Sequence, residues 1–248
     1  MRAMLLLGLA LGGVPGLAAQ SLASRIEGVK EGTVRMSYAA REGVCGDGEH
    51  NITSSAGRRG EWVGSCAHGP VRVVVQRDGG RTTDIRTYVG GAWRGTATAD
   101  LGTVGAIEAS RWLLGVAERG EPAAEDAIMP ATLADSAETW PALLRIARNE
   151  RSGQKARKGA VFWLGQAAGV AATRGLDSIV NDARGDREVR ESAVFALSQR
   201  PHDEGVPALI RVARTSPDPK LRKTAIFWLG QSEAPEALAL FEELLTRN

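Results

Sequence analysis

Aromatic side chains make up only 5% of this 248-residue chain, with two tyrosines and four phenylalanines, and histidine occurs three times and cysteine twice. So few ligand and nucleophile candidates leave little from which to build a metal centre or a nucleophile–base–orienter triad. Neither sign of charge dominates: 31 basic residues against 29 acidic give a formal charge of +2. No global attraction to nucleic acid follows from that balance, and no nucleic-acid partner is expected. No apolar run reaches the roughly 18 residues of a bilayer-spanning helix, so no stable membrane span is expected either.

The N-terminus, MRAMLLLGLALGGVPGLAAQ, carries an early Arg2, a short apolar run to Leu11, a break at Pro15 and small residues up to Ala19. That order is the secretory signal pattern, with cleavage expected after Ala18 or Ala19 and a secreted or periplasmic product. An oxidising compartment lets Cys45 and Cys66, 21 residues apart, close a disulfide. His50 and His68 flank the two cysteines, but C-x4-H and C-x-H do not have the spacing of a standard zinc site.

From Thr33 to about Trp93 the pattern is that of strands. TVRMSY and VRVVVQ alternate apolar and polar residues, and Asp78-Gly79-Gly80 separates two such runs as a hairpin turn. CGDGEH brings Asp47, Glu49 and His50 together without the ligand rhythm of an EF-hand, and a solvated turn is the simpler expectation. Ser65 lies outside any G-x-S-x-G elbow. No catalytic constellation assembles, so neither enzymatic activity nor a cofactor is expected.

After residue 105 the period becomes helical. PALLRIAR at 141–148 returns as PALIRVAR at 207–214, with SIVNDAR at 178–184 as a weaker copy. AVFWLGQ at 160–166 returns as AVFALSQ at 193–199 and AIFWLGQ at 225–231. Phe162, Phe195 and Phe227 are spaced by 33 and 32 residues, as are Arg157, Arg190 and Arg222. A first helix, a polar loop (SGQK, GDRE, SPDPK) and a second helix at that period define the unit of an α-solenoid.

KLRKTAIFWLGQ and EVRESAVFALSQ resemble the second helix of HEAT repeats, in the short variety also known from phycobilisome lyase-like proteins. The resemblance covers about residues 135–248. It implies a structural role for Arg157, Arg190 and Arg222, pairing with loop acids and backbone, and a packing role for Ala160, Ala193 and Ala225. Ser198 departs from the closing glycine of the motif, and Ala156 from its larger opening residue.

On a helical wheel of about 100° per residue, Ala160, Val161 and Leu164 form the buried face and Phe162 falls on the opposite side, beside Lys158 and Gln166. Phe195 with Gln199, and Phe227 with Gln231, repeat the relation. Two readings stand on the sequence alone. The phenylalanines, with Trp163 and Trp228, are interior, filling space between successive second helices or covered by the β module folding back, or they form a solvent-facing ridge edged by amides that donate and accept hydrogen bonds.

The expected fold is therefore α+β: a signal peptide at 1–19, a small disulfide-linked β module over 20–104, a helical capping segment or degenerate repeat at 105–134, and an all-α HEAT-like solenoid with a period of 32–33 over 135–248. The expected function is that of an exported, non-enzymatic scaffold. Phe162, Phe195, Phe227, Gln166, Gln199 and Gln231 would contact a protein or peptide partner in the cell envelope. Fold-level analogy with chromophore lyases offers an enzymatic alternative, and a solenoid that only supports a ligand-binding β module offers another.

Overall fold

A computed structural model describes residues 20–51 and 66–246; the expected signal peptide at 1–19 lies outside the described residues. A short helix, α1 (Leu22–Glu27), leads into strands β1 (Gly32–Tyr38), β2 (Val71–Asp78), β3 (Arg81–Val89) and β4 (Ala99–Thr103). The sheet order is β3-β2-β1-β4, antiparallel except for the parallel β1–β4 pair. The expected hairpin is present: Gly79 (φ +55°) and Gly80 (φ +74°) form the two-residue turn between β2 and β3, where positive φ at both positions excludes most other residues.

Alternation along the strands buries one face of the sheet. Val34, Met36, Tyr38, Val71, Val73, Val75 and Ile85 are nearly inaccessible and share one continuous core with the helices that follow. Those are α2 (Ala106–Glu118) and α3 (Ile128–Thr132). The Tyr38 hydroxyl donates to the Pro130 carbonyl at 2.7 Å, and burial pushes its pKa above the usual tyrosine range. Buried Arg77 ties the hairpin to the turn after α2, donating to Thr82 Oγ1 at 2.8 Å with Glu121 at 3.6 Å. A buried guanidinium is tolerable only when its donors are used, and here Val29 and Gly80 also supply carbonyls.

The rest of the chain is helix pairs: α4 (Trp140–Arg148) with α5 (Gly153–Gln166), α6 (Val170–Val180) with α7 (Arg187–Ser198), α8 (His202–Thr215) with α9 (Pro219–Gly230), and then α10 (Pro235–Thr246). α5 begins at Gly153, so most of SGQK is helix rather than the loop its polarity suggests. First helices stack α2–α4–α6–α8–α10 and second helices α3–α5–α7–α9, so α2 and α3 extend both layers by a shorter pair. This is the helix-pair solenoid the period predicts.

Two of the repeated arginines, Arg157 and Arg190, bind one repeat to the next, and Arg222 ties the loop of its own pair. Arg157 of α5 lies 3.4 Å from Asp186, which caps α7 by accepting from the amides of Glu188 and Val189. Arg190 of α7 lies 3.9 Å from Asp218, which caps α9 through the Lys220 amide, and donates to the Val180 carbonyl at 2.9 Å. Arg222 donates to the Ser216 carbonyl at 2.7 Å. Each capping aspartate thus satisfies orphan amides of its own helix and the charge of the preceding one.

Candidate functional site: an aromatic and amide stripe on the second helices

Burial explains why each second helix exists. Ala160, Val161 and Leu164 in α5, Ala193, Val194 and Leu197 in α7, and Ala225 and Leu229 in α9 have almost no exposed surface. On the opposite side the phenylalanines meet solvent: Phe162 is 42% exposed, Phe195 37% and Phe227 56%. The 200° offset from Leu164 carries all three rings away from the face that buries Ala160 and Leu164, and Phe195 in addition packs between successive second helices, against Trp228. Gln166, Gln199 and Gln231 are exposed at the helix ends, four residues on.

The stripe is less regular than three equal copies suggest. Trp228 stands between two phenylalanines, with ring centroids 5.0 Å from Phe195 of the preceding helix and 5.0 Å from Phe227 of its own. Among the aromatic rings of the described residues, Phe162 instead meets only its neighbour Trp163, edge to face at 5.3 Å. The cause is the residue at the tryptophan position of α7, which is Ala196. Gly165 lets α5 come close to it: a Cβ on Gly165 would sit 3.0 Å from the Ala196 Cβ. Closer helices leave no room for an indole, so the aromatic contact chain breaks between α5 and α7.

Two recesses open beside the stripe. One, of about 430 Å³, lies between Trp140 and Trp163 and is bordered by Gln166, Glu138 and Arg41. Trp140 Nε1 donates to Glu138 at 2.9 Å, while Arg41 is exposed and has no ion-pair partner among the described residues. The other, of about 160 Å³, is lined by Gln199, Gln231, Trp228, His202 and Arg200. The expected glutamines therefore border concavities, whereas the phenylalanines stand beside them. Trp163 and Trp228, which the wheel places next to the phenylalanines, form the walls.

Arg200 is the functional-looking residue that periodicity misses, since it follows the repeat motif rather than belonging to it. Its guanidinium is buried and donates to the carbonyls of Gly165, Ala167 and Gly169, to Thr173 and to Glu204. It locks the α5–α6 turn against α8 and so fixes the floor of the smaller recess. The hydrogen bonds from Thr173 and Arg200, opposed by some desolvation, hold the Glu204 carboxyl below its usual pKa.

The remaining sequence candidates separate cleanly. Cys45 and Cys66 form a disulfide with Cα atoms 5.3 Å apart. Asp47 accepts from the amides of His50 and Glu49 and pairs with the His50 imidazole, which lowers its pKa to about 2 and raises that of His50. Glu49 pairs with Arg94 at 2.7 Å, and His68 Nδ1 faces the Val44 carbonyl at 3.1 Å. These groups are engaged with one another in a folded turn.

Helix pairs at a 32–33-residue period, stacked in two layers and locked by an Arg–Asp ladder, define a HEAT-type solenoid. In agreement, the family model of HEAT repeats matches residues 176–248. The pair α4–α5 lies before that match and stacks as the others do. No curated protein and no solved structure matches the chain. HEAT repeats suggest a protein-interaction scaffold. The disulfide is compatible with a secreted protein, and among the described residues no helix is long and apolar enough to cross a membrane.

Proposed function

We propose that the chain is an exported, non-enzymatic scaffold that holds a protein or peptide partner in the cell envelope. The contact surface is the stripe of Phe162, Phe195 and Phe227 with Gln166, Gln199 and Gln231. The observation that carries this reading is the exposure of a phenylalanine at the same position of three successive second helices, where burial of the helix requires none. Aromatic residues in a row supply apolar contact area at low entropic cost, and primary amides can pair with a partner's backbone in either direction. The disulfide and the secretory pattern at residues 1–19 support the envelope assignment.

Selection of binding peptides on the immobilised full chain tests the surface, followed by affinity measurement on the F162A/F195A/F227A variant. Loss of about tenfold or more in affinity is expected, as for removal of interface aromatics. Equal affinity of wild type and variant for every selected peptide would refute the assignment. Sequencing the N-terminus of the exported chain tests the localisation, with a start near Ala19 or Gln20 expected.

A further inference from the structure

The outward face of the β-sheet carries an unusual concentration of positive charge for a chain so nearly neutral. β-sheet register sets Arg35 of β1 opposite Val74 of β2, and Val74 opposite Arg86 of β3; Arg72, two residues from Val74, lies on the same face opposite Tyr88. The loop after β3 returns over these side chains and brings Trp93 above them. Both the Arg35 and the Arg72 guanidinium carbons lie 5.3 Å from the Trp93 ring centroid. A cavity of about 310 Å³ remains between the loop and the sheet, within the size range of small-molecule sites; Glu49 also lines it, its carboxylate paired with Arg94 at 2.7 Å.

The three guanidiniums are not equally compensated. Arg35 is matched by Asp100 at 2.7 Å and also donates to the Gly95 carbonyl at 3.0 Å. Among the described residues Arg86 has only Asp84, at 3.6 Å and half exposed. Arg72 donates through Nε to the Gly90 carbonyl at 2.9 Å and through Nη2 to the Gly91 carbonyl at 2.7 Å, and among the described residues no carboxylate forms an ion pair with it. Its Nη1 has no acceptor among the described residues. Tethering the loop and stacking on Trp93 account for Nε, Nη2 and the guanidinium face of Arg72, but not for the lack, among the described residues, of a carboxylate partner or an acceptor for Nη1, nor for the adjacent Arg86 and Tyr88.

We infer that this cavity binds a small organic anion, its carboxylate or phosphate received by Arg72 and Arg86 and its flat or apolar body laid against Trp93, Val74 and Tyr88. Arg72 and Trp93 are held in place before binding, so little side-chain entropy is lost when the anion arrives. Asp100 acts as a competing carboxylate that keeps Arg35 occupied. The site belongs to the β module and does not depend on the stripe of the solenoid.

Benzoate, phenyl phosphate and inorganic phosphate, titrated into the full chain while the indole N–H resonances are followed by NMR, test the inference. The Trp93 resonance, assigned with W93F, is expected to move with both aromatic probes, and the better of the two identifies the preferred head group. Inorganic phosphate, lacking the apolar body, binds about tenfold more weakly. R86Q weakens the aromatic probes about tenfold, as loss of a charge-assisted contact does. D100N retains the acceptor for the Gly102 amide and frees Arg35, so it tightens binding by about threefold to tenfold, a gain that misfolding does not produce. A Trp93 resonance that stays still with all three probes, or unchanged affinities in both R86Q and D100N, would overturn the inference.

Discussion

The Phe195 ring of α7 lies 5.0 Å from the Trp228 indole of α9, its plane tilted by 52°. This contact makes the exposed stripe part of the joint between two repeats as well as a surface. A phenylalanine 37% exposed still buries most of its ring, and what it buries against is the next repeat rather than its own helix pair.

Replacing Phe195 with alanine is therefore expected to cost about 1–2 kcal/mol in chemical denaturation, below the roughly 3–5 kcal/mol of a fully buried phenylalanine. A double-mutant cycle with W228A should return a coupling of about 1 kcal/mol, as aromatic pairs do, while the F162A/W228A cycle returns none. A cost for F195A as large as that of a core residue would mean that the ring is interior in solution.

Acid should loosen the Arg–Asp ladder. Asp218 has its pKa lowered by the hydrogen bond from the Lys220 amide, against partial desolvation and with help from the Leu221 amide, Arg187 and Arg190. A carboxyl with a depressed folded pKa contributes fully above its unfolded value near 4 and loses that contribution as pH falls through the lower folded value. D218N keeps a capping acceptor but not the charge, so it should melt earlier than wild type at neutral pH, and the difference should close below about pH 4. A constant difference across the acid range would argue against the ion pairs.

Reduction should weaken the β module. Thiol titration is expected to find no free thiol before reduction and two afterwards, and the C45S/C66S chain should lose on the order of 3 kcal/mol, the chain-entropy value for a loop of this length. Two thiols titrating in the unreduced exported protein would contradict the disulfide.

Arg200→Met should be among the most damaging single changes outside the apolar core. It leaves the Gly165, Ala167 and Gly169 carbonyls of the α5–α6 turn without their shared donor, at a cost of about 3 kcal/mol or more in equilibrium unfolding. A near-neutral effect would show that water replaces the guanidinium.

The repeats were legible because one physical constraint recurs. A helix pair must bury Ala160, Val161 and Leu164, and every 32–33 residues the same constraint selects the same kinds of residue. The hairpin at Gly79-Gly80 was legible for a similar local reason, the need for positive φ at two adjacent positions. α1 and β4 were not. Six residues give too short a window for helical periodicity, and in ADLGT the alternation is confined to Ala99, Asp100 and Leu101, too short to stand out, because β4 is a five-residue edge strand with little to bury.

Site residues divide along the same line. The sequence by itself determined that Phe162, Phe195 and Phe227 lie opposite the buried face, because helical geometry fixes angles along a single chain. Only the tertiary structure decided whether that opposite side meets solvent or a neighbour, since exposure depends on what packs against a helix. It also decided that Ala196 interrupts the aromatic chain, that Arg200 gathers three carbonyls from another repeat, and that Arg35, Arg72 and Arg86 share one face with Trp93. Those relationships join residues far apart in sequence through strand register and helix stacking, and no local pattern in the chain encodes them.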